Sequence, residues 1–81
     1  MSPEVTEEVQ RLIKEYKLNC TIEQFKYKVY WNHISLFQKL SEDFIREFIE
    51  YVDIDMILDA RKHLSEQFKE ELKALKAIKE I

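Results

Sequence analysis

The chain has 81 residues at 9.9 kDa, 46% of them hydrophobic and 36% charged, which fits one small folded domain and argues against a second domain or intrinsic disorder. It contains no glycine, so the glycine-dependent phosphate loops GxGxxG and Walker A are excluded. The net charge of -3 gives no global attraction to nucleic acid or anionic membrane, and a lone Cys20, with neither a signal-like start nor an apolar run near roughly 18 residues, predicts a soluble cytoplasmic protein.

Ser2-Pro3-Glu4 combines an N-cap hydroxyl, a proline at the first helical position and an acid in the first turn, which predicts a helix start. Val5, Val9, Leu12, Ile13 and Tyr16 share one face at helical spacing, opposite Glu7, Glu8, Arg11, Lys14 and Glu15. Asn19 is expected to end this helix, because asparagine tolerates left-handed backbone. Thr21 and Gln24 have capping-box spacing, and Ile22, Phe25 and Val29 supply the stripe of a short second helix. Trp31, Ile34, Phe37 and Leu40 continue as a brief third helix that breaks near Leu40.

Ser41 caps a fourth helix, with Glu42 and Asp43 behind it at the positive end of the dipole. Here Phe44, Ile45, Phe48, Ile49 and Val52 face inward, and Asp43, Glu47 and Glu50 face away. A fifth helix turns Ile54, Ile57 and Leu58 inward and Asp55 and Asp59 outward. His63, just before the Leu64-Ser65 break, is placed to complement that helix's C-terminal end. Ser65 caps a final helix with Phe68, Leu72, Leu75 and Ile78 inward and Lys69, Lys73 and Lys76 on another side.

An internal repeat runs through this order. Trp31, Ile34, Leu40, Ser41, Glu42 and Phe44 recur as Ile54, Ile57, Leu64, Ser65, Glu66 and Phe68, at an offset of 23 that becomes 24 after one inserted residue. Each unit is a short helix, a serine-capped break and a longer helix, and neither helix alone can bury its stripe. The predicted fold is therefore all-α: five or six short helices, arranged as two degenerate helix-pair repeats stacked behind an N-terminal helix. They form a single domain over 1–81, with the N-terminal helix at 1–19, the first repeat region at 21–52 and the second repeat with the C-terminal helix at 53–81.

From Trp31 to Phe48 the sequence resembles a family of short tandem repeats reading W-x-x-I-S-x-x-Q-K-L-S-E-x-F-I-x-E-F, typical of proteins encoded by bacteriophages, giant viruses and low-GC bacteria. The match is close over these 18 residues, looser over 52–72 and absent over the first 20. The resemblance implies a helical repeat architecture and a viral origin, with host cytoplasm as the location, and it carries over no catalytic residue. In the second unit Ile54 replaces the tryptophan and Asp59-Ala60-Arg61 replaces the aromatic-glutamine stretch, so a shared binding surface is not implied.

Catalytic chemistry finds no constellation here. Cys20, His33 and His63 lack metal-ligand spacing, and His33 reads as a surface residue or partner contact. Asp53, Asp55 and Asp59 lack the turn glycine and terminal glutamate of a calcium loop, and read as a solvated helix face. Ser35, Ser41 and Ser65 read as helix-surface or capping residues rather than nucleophiles. The aromatics Phe25, Tyr27, Tyr30, Trp31 and Phe37 lie among Lys26, Lys28 and Lys39, a composition that can stack on single-stranded nucleic acid, but the stripes assign Phe25, Trp31 and Phe37 to the core. The segment from Thr21 to Leu40 can also be drawn as a helix-turn-helix in which Asn32, Ser35 and Gln38 read bases.

Charge is polarised along the chain: residues 40–59 carry Arg46 against seven acids, between two mildly basic segments. The sequence reading is a non-enzymatic protein-protein interaction module without metal or cofactor, docking on a basic protein surface through Asp43, Glu47, Glu50, Tyr51, Asp55 and Asp59. With the viral resemblance this becomes a phage-encoded inhibitor or modulator of a host protein. Two alternatives are a small DNA-associated regulator using residues 21–39 and a structural homo-oligomer with the C-terminal helix as its seam. Nucleic acid and membrane are the disfavoured partners.

Overall fold

Among the described residues of the computed structural model six α-helices follow one another: α1 (Pro3–Glu15), α2 (Ile22–Lys28), α3 (Trp31–Phe37), α4 (Glu42–Glu47), α5 (Ile54–Ala60) and α6 (Glu66–Lys79). The structure describes residues 1–60 and 64–79, among which there is no strand; His63, with the role expected of it, lies outside the described residues.

Local chemistry sets most helix starts. The hydroxyls of Ser2, Ser41 and Ser65 accept from the backbone N–H groups of Val5, Phe44 and Phe68 at 3.2, 3.1 and 3.1 Å. Thr21 and Gln24 complete the capping box reciprocally, at 3.2 and 3.1 Å. Each such cap stabilises its helix by about 1 kcal/mol. α3 has no side-chain cap, since Tyr30 precedes it; the Trp31 indole N–H instead donates to the Lys26 carbonyl at 2.9 Å and ties α3 to α2.

α1 ends earlier than Asn19. Tyr16 caps it, the Leu18 N–H reaches the Ile13 carbonyl at 3.0 Å and the Lys17 N–H reaches that of Lys14 at 3.3 Å, a Schellman motif with Lys17 in the left-handed region at φ 53°. Asn19 is left-handed as well, at φ 52°. With no glycine in the chain, both positions carry a Cβ, at a cost of about 1 kcal/mol or more each.

The sequence repeat is a repeat of burial. Val29 and Val52, Ile34 and Ile57, Leu40 and Leu64, Phe44 and Phe68, and Phe48 and Leu72 are all buried. The short helices α3 and α5 pack on each other, α1 packs on α2 and α4, and α6 packs on α5. Phe25 stands at the centre of an aromatic cluster, its ring edge-on to Trp31, Phe44 and Phe48 at 5.7, 6.1 and 5.7 Å. Successive units are also tied by acids. Glu8 accepts from the Ser41 N–H and O–H at 3.0 and 2.7 Å, and Glu42 accepts from the Ser65 N–H at 3.3 Å. The resulting body has a radius of gyration of 12.5 Å, near the value of about 11.7 Å for a compact chain of this length.

Five further expectations are corrected. Ser35 is wholly buried rather than on the surface, and its hydroxyl accepts from the Asp53 N–H at 3.2 Å. Asp53 in turn is the N-cap of α5, accepting from the Met56 N–H at 3.1 Å, rather than part of a solvated face. Phe37, expected in the core, is 67% exposed. It stands to one side of Ile34 on α3, Ser35 stands to the other, and it is the Ser35 side that meets the start of α5. Ile78 is 65% exposed, because it lies past Leu75 and Lys76, the last half-buried residues of α6 before it, of which Lys76 reaches Asp55 of α5. Trp31 is half-buried at the edge of the core, not within it.

Candidate functional site

The acidic residues singled out in the sequence are distributed and partly neutralised. Asp43 faces Arg46 of its own helix at 3.4 Å, and Glu47 faces the N-terminal amine at 3.8 Å. Asp55 pairs with Lys76 of α6. Glu50 and Asp59 are exposed with no partner among the described residues. Arg46 gathers Glu42, Asp43 and Glu71 around it while its guanidinium lies 4.7 Å from the Phe68 ring centroid. The Glu71 hydrogen bond raises its pKa further above an already high value, against a smaller opposing effect of burial, so Arg46 is a permanent cation tying α4 to α6. Tyr51 stacks on Trp31 at 5.7 Å and has the Lys26 ammonium 6.0 Å from its ring.

The opposite balance holds around α2 and α3, where large apolar side chains are left in solvent. Tyr27 and Tyr30 are exposed, as are Phe37 and His33. The His33 ring is wedged between two aromatics, edge-to-face with Tyr16 at 5.3 Å and tilted against Phe37 at 4.7 Å. Gln38 donates to the Tyr16 hydroxyl oxygen at 2.6 Å and fixes that ring. The Tyr16, Tyr30 and His33 rings border a hollow of about 140 Å³, lined also by Leu18, Val29 and Ile34. The Schellman turn builds one wall, by carrying Leu18 back against the core, and the α2–α3 junction builds the other.

Of the residues lining this hollow, the sequence marks His33 only as a surface or partner residue and assigns Tyr30 to no face. It carries no signal for Leu18 and places Tyr16 on the core face of α1. No local signal joins residues 16–18 to 29–34; the tertiary fold does. The helix-turn-helix drawing loses two of its three base readers, since Ser35 is inside and Gln38 is held by Tyr16, leaving Asn32 exposed.

A second, wider depression between α1 and Leu40 is lined by Glu4, Glu7, Glu8, Arg11 and Lys39, and its best-placed acid, Glu8, is already committed to Ser41. Among the described residues no group of three or more His, Cys, Asp or Glu side chains converges as a metal site would require, and no helix is long and apolar enough to cross a membrane.

Compared with known proteins, the chain matches no family model, no curated protein and no solved structure.

Proposed function

We propose that the protein is a non-enzymatic protein-interaction module whose contact surface is the aromatic end formed by the α1–α2 turn, α2 and α3. The observation that carries this reading is the pair of rings left in solvent at this end, Tyr30, 78% exposed and lining an apolar hollow, and Phe37, 67% exposed and packed on the His33 that lines it. Exposed contiguous aromatic surface is costly for a small soluble body and is characteristic of the anchors that dominate protein interfaces. The acids favoured by the sequence are better placed to steer an approach than to supply affinity, because several already pair internally and exposed pairs contribute about 0 to 1 kcal/mol each. The resemblance to repeats of phage and giant-virus proteins supports extending the proposal to a factor that acts by occupying a host protein.

Capture from a cognate cell lysate by the immobilised protein tests this, run beside Tyr30→Ala/Phe37→Ala and Glu47→Lys/Glu50→Lys variants. Loss of the same captured protein in the aromatic variant supports the reading. Loss in the acid variant alone moves the surface to the acids, and equal capture by all three rejects an interaction surface at either place.

A second reading, self-association through the C-terminal half of α6, draws on the exposure of Ile78 beside a half-buried Leu75. A molar mass that stays monomeric in light scattering across a concentration series eliminates it.

A further inference from the structure

We propose that the hollow between the α1–α2 turn and α3 receives one bulky apolar side chain from an acidic segment of the partner protein, with Lys17 and Lys28 meeting the carboxylates that flank it. This rests on the interaction-module reading and names what occupies its surface.

Shape sets the size of the guest. Leu18, Val29 and Ile34 supply apolar walls and Tyr16, Tyr30 and His33 the aromatic rim, around a volume of about 140 Å³. An apolar cavity of roughly 150 Å³ accommodates benzene, so this space suits one phenylalanine or leucine side chain, while cofactor pockets begin near 300 Å³. The rim is held before binding: Gln38 fixes Tyr16, and His33 is packed between Tyr16 and Phe37. A preorganised rim lowers the ordering cost of association. Because the Tyr16 oxygen already accepts from Gln38, its own O–H remains able to donate to an arriving carboxylate.

Charge sets the flanks. Arg11, Arg46, Lys69, Lys73 and Lys76 each pair with a carboxylate. Lys17 and Lys28 are exposed, each one residue away from a lining residue, and neither has a carboxylate partner among the described residues. Glu15, the acid nearest in sequence to Lys17, is turned to Arg11 at 3.4 Å. Exposed cations without carboxylate partners, adjacent in sequence to the lining of an apolar hollow, favour an anchor between acids and oppose one between bases. Two lysines do not make the continuous basic track that a nucleic-acid strand requires.

The test is a chemical-shift titration of the isotope-labelled full chain with four probes: the peptide Glu-Glu-Asp-Phe-Asp-Glu-Glu, the same peptide with alanine for phenylalanine, Lys-Lys-Arg-Phe-Arg-Lys-Lys, and a single-stranded deoxythymidine oligonucleotide. The acidic phenylalanine peptide is expected to move the amides of Leu18, Val29, Tyr30, His33 and Ile34. The alanine peptide should bind about tenfold more weakly or worse, as for loss of an interface anchor. A Lys17→Glu/Lys28→Glu protein, shown to be folded by circular dichroism, should lose roughly fivefold for the acidic peptide at low salt and favour the basic one. Amides that stay still at millimolar peptide, equal binding of the alanine peptide, or tighter binding of the basic peptide or the oligonucleotide overturns the proposal. If the peptide fails while Tyr30→Ala/Phe37→Ala still abolishes capture, the interaction module stands and this occupant is rejected; if capture is indifferent as well, both fall.

Discussion

Phe37 and Phe44 are the same side chain in opposite settings, and replacing each by alanine separates a core position from a free rim. Phe44 is fully buried, with its ring 4.9, 6.1 and 6.2 Å from those of Phe48, Phe25 and Trp31. Its truncation loses transfer energy and leaves a cavity, a cost of about 3–5 kcal/mol. A domain of this length has a total stability of about 4–12 kcal/mol, so Phe44→Ala removes a large part of it or all of it. With a urea slope of about 1–2 kcal/mol/M, the unfolding midpoint falls by about 1.5–5 M. Phe37 is 67% exposed, so about a third of the roughly 1.5–3 kcal/mol for burying a phenylalanine is at stake, and its midpoint moves by less than about 1 M. Trp31, the one tryptophan, is half-buried and hydrogen-bonded to the Lys26 carbonyl, so its fluorescence follows unfolding. Far-UV circular dichroism is run in parallel, because Phe44 touches the reporter. A fall for Phe37→Ala as large as for Phe44→Ala would make Phe37 a core residue and remove the aromatic rim. A change under about 1 kcal/mol for Phe44→Ala would refute the stacked core.

Three further substitutions probe other joints. Ser35→Ala leaves the Asp53 N–H without its acceptor at the start of α5 and is expected to cost about 1–3 kcal/mol in urea unfolding, where a surface serine would cost almost nothing. In a double-mutant cycle of Glu8→Ala with Ser41→Ala, the single changes each lose about 1 kcal/mol and the coupling is about 0.5 kcal/mol or more, since one carboxylate accepts from both the Ser41 N–H and O–H; strict additivity would contradict that contact. Lys17→Gly relieves a left-handed non-glycine residue and raises stability by about 0.5–1 kcal/mol after the entropy glycine adds to the unfolded chain, and a lower thermal midpoint would show that φ there is not positive.

Local chemistry made the elements legible. Ser2, Thr21, Ser41 and Ser65 cap helices because a hydroxyl three residues from an orphan N–H needs nothing beyond its own segment. The stripe spacing also identified most of the core, and the offset between Ile34 and Ile57 or Phe44 and Phe68 foretold that equivalent positions would be buried together. What periodicity lacks is the neighbour. It places Ile34 and Phe37 near one face of a helix, but α5 arrives on the Ser35 side, so a serine is buried and a phenylalanine is left in water. It continues the α6 stripe to Ile78 without marking where the covering helices end. The hollow escapes it for the same reason, since Tyr16 and Leu18 meet Val29, Tyr30 and His33 only through the fold. Sequence alone determined where helices begin, which stripe each would bury and that the units repeat, because those depend on bonds and spacings within a turn or two. Tertiary structure alone decided which part of each stripe is covered, which acids are neutralised and which rings remain for a partner, because those depend on where another helix happens to stop.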